Sequence, residues 1–156
     1  MSTQVLSNAS RPMTTQMSVF SWACRIVAAI ILLQTLFFKF TAAQESVYIF
    51  TKLAMFFHSY IPFASISTVE VLGRVGSGIM ELIAAVLLLR PRFVWAGAVL
   101  AMAATGGAIV SHLTFLGFEV QGDKGLLFFL AIVVFVTSLL ALILHRGQIP
   151  VLGRKF

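Results

Sequence analysis

The sequence predicts an all-α integral membrane protein: a four-helix bundle with an amphipathic interfacial segment between its first and second membrane helices. Three observations lead there. Hydrophobic residues make up 60% of the 156 and charged residues 10%, with a mean hydropathy of +1.02, whereas a soluble domain carries about 25% charge. The apolar residues gather into four blocks, each near the roughly 20 residues that a helix needs to cross the hydrocarbon core. The ionisable residues inside the second block recur on one helical face, as membrane helices arrange groups that lipid will not accept.

In chain order, residues 1–17 are polar, contain Pro12 and lack apolar periodicity, which predicts a flexible tail. Asn8-Ala9-Ser10 matches a glycosylation sequon, a pattern short enough to arise by chance. The four-span membrane domain is expected over residues 18–146, and residues 147–156 form a short basic tail. A secretory signal is not expected, because Arg25 interrupts the first apolar run and that run continues to Phe40.

The first span, about Val19 to Phe40, carries Arg25, Gln34 and Lys39. Arg25 and Lys39 are two heptads apart and share a face. Lys39, near the end, is expected to snorkel to the interface, and Gln34 to hydrogen-bond another helix. Residues 41–68 are too polar to span. Val47, Phe50, Ala54 and Phe57 recur at helical spacing against Glu45, Lys52 and Ser59 on another face, the pattern of an amphipathic surface helix. His58 reads as its interfacial polar tip.

Glu70 to Arg92 is the organising segment. At about 100° per residue, Glu70, Arg74, Ser77, Gly78 and Glu81 fall on one face, with Ile79, Leu82, Val86 and Leu89 opposite. After the basic turn Arg90-Pro91-Arg92 comes a third span, Phe93 to Phe118. Its small residues Gly97, Ala101, Ala104, Thr105 and Ala108 invite close helix packing. Ser111 and His112 lie near its far end, at the depth of Arg74 in an antiparallel pair. Gly125 to Leu144 is a fourth span without an ionisable residue, expected to be scaffold.

Charge decides the expected orientation. Arg11, Arg90, Arg92, Arg146, Arg154 and Lys155 collect on one side with no acid, while Lys39, Lys52 and Lys124 share the other with Glu45, Glu70, Glu119 and Asp123. Both termini are therefore expected in the cytoplasm. The net charge of +6 is spread between apolar blocks rather than clustered on a polar face, so nucleic acid is not an expected partner. The lone cysteine, Cys24, excludes an internal disulfide and a CxxC pair.

Several features together resemble the DoxX-like family of small membrane proteins: Arg25 early in the first span and Lys39 at its outer end, then the amphipathic connector. The second helix adds a Gly-x-x-Glu-x-x-x-Ala pattern (Gly78, Glu81, Ala85) before a leucine run and a basic turn. The likeness covers roughly residues 20–145. It implies a multi-pass protein of a prokaryotic plasma or inner membrane. Some members are linked to thiosulfate:quinone oxidoreductases or other redox systems.

Weighed on the residues, three functions remain. An accessory, quinone-linked subunit would use Lys39, Glu70, Arg74 and His112 as a pocket for a polar head group. A small-molecule or ion carrier would use Glu81 near mid-membrane. A purely structural protein would use its ion pairs to set helix register. Catalysis by this chain alone has no support in its motifs: there is no His/Cys/Asp set with metal-ligand spacing, no phosphate loop and no nucleophile–base pair. No catalytic or metal-binding residue is therefore assigned. Arg25 and Glu81, at expected heights of roughly 9 and 14 Å from the cytoplasmic ends, are expected to form an intramembrane ion pair.

Overall fold

The structure, a computed structural model, describes residues 14–60 and 62–149. The sequon, Arg11, Arg154 and Lys155 lie outside the described residues. Five α-helices account for most of the chain: α1 (Thr15–Phe40), α2 (Gln44–His58), α3 (Ile66–Leu89), α4 (Val94–Ser111) and α5 (Leu126–Leu144). A single π-helical turn, His112–Leu116, extends α4. Four of these helices are long and apolar enough to cross a membrane, namely α1, α3, α4 with its extension, and α5. They form an antiparallel bundle in which α1 packs on α3 and α5, and α4 packs on α3 and α5. The chain is thus a multi-pass, four-helix membrane bundle.

Helix α1 begins at Thr15, four residues before the expected start, so residues 15–17 belong to the helix and not to the tail. The cause is local: the Thr14 hydroxyl accepts the Met17 N–H at 3.4 Å and satisfies one of the free donors of the first turn. The amphipathic segment is helix α2, and it packs along α3, where the Phe50 ring lies over Gly73. Val47 and Phe50 are half-buried and Ala54 is buried, while Phe57 turns outward. The His58 ring meets the Ala64 carbonyl at 3.0 Å, closing the turn toward α3.

The core is built from small residues. Ala28, Ala29 and Leu32 of α1 meet Ala84, Ala85 and Leu88 of α3, Ala98 and Ala101 of α4, and Val134 of α5. Lipid offers no hydrophobic drive for helices to associate, so close backbone approach and dispersion must supply the attraction. Gly97 shows how close that approach is: a Cβ there would stand 2.5 Å from the Leu88 backbone nitrogen. The opposite faces are apolar and outward, with Ile79, Leu82, Val86 and Leu89 of α3 all exposed, as lipid-facing residues must be.

Candidate functional site

Helix α3 carries Glu70, Arg74, Gly78 and Glu81 on its buried face, as their 3.6-residue spacing requires. Two linked ion pairs form along this face. Arg74 donates from Nε to Glu70 Oε1 at 2.5 Å, an i to i+4 pair. Its Nη1 donates to the Lys39 carbonyl oxygen, also at 2.5 Å. That carbonyl lies in the last turn of α1, where carbonyls have no partner within the helix and the helix dipole is negative. Arg74 of one helix thus caps the end of another.

Lys39 then turns inward. Its Nζ donates to Glu81 Oε1 at 2.5 Å, and the two side chains are 14% and 9% exposed. The expectation that Lys39 snorkels outward is corrected: a carboxylate within reach in an apolar bundle outweighs the gain of extending a flexible stem to the interface. Thr35, one turn before Lys39, places Oγ1 2.9 Å from Glu81 Oε2 and 2.8 Å from the Leu32 carbonyl oxygen, with one proton to share between them. Both carboxylate oxygens of Glu81 therefore face donors on α1. Glu70, Arg74, Lys39 and Glu81 make a neutral line of two acids and two bases between α1 and α3.

Among the sequence candidates, Lys39, Glu70 and Arg74 come together as expected, and Glu81 joins them. His112 engages elsewhere. Fifteen residues separate it from Gly97, which packs on Leu88, so by count it lies level with Gly73. Its Nδ1 is 2.8 Å from the Gly117 carbonyl oxygen and its ring packs on Phe128. It closes the π-helical turn instead of joining the line. Gln34 is exposed, and its neighbour Thr35 makes the interhelical contact.

The Arg25–Glu81 pair is replaced by a different arrangement. Arg25 donates from Nε to the Leu88 carbonyl oxygen at 2.5 Å, and its guanidinium stacks 4.0 Å from the centre of the Trp22 ring. Side-chain direction is the reason. Fourteen residues separate Arg25 from Lys39, and fourteen separate Arg74 from Leu88, so the two α1–α3 contacts fix one antiparallel alignment. In that alignment Glu81 is level with Leu32, seven residues or about 10 Å from Arg25 and equally far from Lys39. Helical side chains lean toward their own N-terminus, so across the antiparallel pair Lys39 and Glu81 lean toward each other, while Arg25 leans away toward the Leu88 end.

Two sites outside the spans complete the electrostatics. Asp123 accepts three backbone N–H bonds, from Val120, Gly125 and Leu127, and so caps α5. Burial pushes its carboxyl upward, but these donors, with His112 nearby, outweigh it and hold it below the ordinary carboxylate range. At the other end, His145 Nε2 is 2.8 Å from Ser21 Oγ, linking α5 to α1. Burial, and then the charge of Arg25, lower the pKa of this imidazole.

Fold and site define a helical multi-pass membrane protein with a charge-neutral polar line inside it. No protein-family model matches the chain, and neither a curated protein nor a solved structure does.

Proposed function

We propose that this protein is a DoxX-like accessory subunit of a membrane redox system, with the Lys39–Glu81 pair as the element that meets a quinone head group. The observation that carries the reading is the half-free ammonium of Lys39. It donates to Glu81, which leaves N–H donors available to a carbonyl oxygen, and it sits 5.7 Å from the centre of the Phe50 ring. A carbonyl-bearing ring fits that pairing of one cationic donor with an aromatic wall. Glu81, held by Lys39 and Thr35, stands beside it and fixes where the ammonium points. Chemistry on the quinone would belong to a partner redox protein.

The test is purification in mild detergent followed by mass spectrometry of the bound lipid-soluble molecules and proteins. Quinone, or a redox partner, should accompany the wild-type protein, and quinone should be lost from Lys39→Ala. A stable wild-type bundle carrying neither would overturn the subunit reading. It would favour a structural role, which has its own support in the internal partners that the line supplies to all four of its charges.

The proposed setting is a prokaryotic plasma or inner membrane with both termini cytoplasmic, supported by the six basic residues and no acid on one side. Reporter fusions at residues 92 and 122 should report opposite faces. The same face for both would end this topology.

A further inference from the structure

At the end of the bundle away from Glu70 and Arg74, Arg25 carries a charge that no described residue neutralises. The residue is 2% exposed, its Nε is bound to the Leu88 carbonyl oxygen, and its Nη2 is buried without a hydrogen-bond partner among the described residues. The five acidic side chains are Glu45, Glu70, Glu81, Glu119 and Asp123. Glu81 is the nearest along α3, and it lies about 10 Å from the level of Leu88 with both oxygens facing α1 donors. Among the described residues, the polar neighbours of Arg25 are neutral or basic: a carbonyl, the Trp22 ring, and the Ser21–His145 link.

A buried guanidinium without a counter-charge is costly, and its planar fork of donors matches an oxyanion. The surroundings indicate where that anion comes from. Leu88, which holds Arg25, is two residues before Arg90, and Arg90, Arg92 and Arg146 are exposed at the same end. Trp22, 39% exposed, forms the outward cover of the guanidinium. Arginines gathered at the edge of a membrane domain, with an indole at the surface, are the features that attract an anionic head group.

We propose that Arg25 binds a phosphate oxyanion, supplied by the head group of an anionic phospholipid in the leaflet on the Arg90–Arg92 side, with Trp22 as the movable cover over Nη2. The lipid phosphate supplies the missing counter-charge of Arg25. The site is separate from the Lys39–Glu81 line and does not depend on a redox role.

The test uses the full chain with Trp95→Phe, leaving Trp22 as the one indole. The protein is placed in phosphatidylcholine liposomes containing equal mole fractions of either brominated phosphatidylglycerol or brominated phosphatidylcholine. The anionic lipid should quench Trp22 about fivefold more strongly, the enrichment expected from one added arginine contact at an anionic surface. This measurement needs no change at Arg25, so it holds even if variants there fail to fold. In Arg25→Gln, or Arg25→Met if a longer apolar stem is needed for folding, the ratio should fall toward one. Arg90→Gln with Arg92→Gln should retain most of it.

If both lipids quench equally, while inorganic phosphate raises the melting temperature of the wild type and not of Arg25→Gln, the oxyanion site stands with free phosphate as its source. Equal quenching with no phosphate effect overturns the proposal and returns the counter-charge to a carboxylate of a partner protein. A lipid preference that survives at Arg25→Gln and disappears on removing Arg90 and Arg92 overturns it as well.

Discussion

Lys39 and Glu81 form an ion pair between α1 and α3, with Nζ and Oε1 2.5 Å apart and neither side chain more than 14% exposed. The pair joins the last turn of one helix to the interior of the next. Removing one partner leaves a charge in a low-dielectric interior, a loss of about 3–5 kcal/mol as an upper range. Polar contacts between membrane helices average only about 0.6 kcal/mol, so a single substitution does not isolate the coupling. Lys39→Ala and Glu81→Ala should each lower the melting temperature in detergent, and the double variant should cost no more than the worse single. Additive losses would remove the pair as an energetic unit.

Arg25 and Glu81 supply the contrasting cycle. They sit seven residues apart in the α1–α3 alignment and use different partners, and sites without shared contacts usually add within about 0.3–0.5 kcal/mol. Thermal unfolding of Arg25→Ala, Glu81→Ala and their combination should therefore show additive losses. A strong coupling energy would mean that the helices slide into another register.

Gly97 tests the closeness of α3 and α4. With a Cβ placed 2.5 Å from Leu88 N and 2.9 Å from the Ala84 carbonyl oxygen, alanine has only backbone to push against. Gly97→Ala should destabilise by about 1–3 kcal/mol, the usual cost of overpacking. Gly107→Ala is the control, since nothing stands within 4 Å of its added methyl. It should be neutral or slightly stabilising, because alanine is the better helix former. Equal effects in a denaturation assay would show that α3 and α4 separate easily.

His145 gives the bundle a pH dependence. Its folded pKa lies below the ordinary value because of burial first and Arg25 second, so the folded state binds its proton less readily than the unfolded chain. Stability from this residue is full above the ordinary histidine range. It declines as pH falls through that range, and levels off below the depressed folded value. A melting series from pH 8 to pH 5 should show the decline in the wild type and a weaker one in His145→Gln. Identical slopes would place the sensitivity elsewhere.

The polar face of α3 is legible in the sequence, because 3.6-residue spacing alone puts Glu70, Arg74, Gly78 and Glu81 on one side. The role of Thr35 is legible in principle too: it stands four residues before Lys39, one turn away on the same face. Gln34 is the larger polar group and the more conspicuous in the sequence, but it faces outward. Counting along α4 gives His112 the correct depth, yet rotation about the helix and the π-helical turn direct its ring to Gly117 and Phe128.

By itself the sequence determined the membrane class, the number of spans, the amphipathic helix and which face of each helix is polar. Those follow from composition and periodicity, which act within one helix. The tertiary structure decided which charge meets which. Partner choice depends on how α1 and α3 align and on the direction in which each side chain leans, and the alignment is held by small-residue packing at Ala28 and Ala84 and by the cap that Arg74 places on the end of α1. Glu81 is equally far in height from Arg25 and Lys39, and only the antiparallel packing turns its side chain toward Lys39, because periodicity records angle around the axis and not what lies along a neighbour.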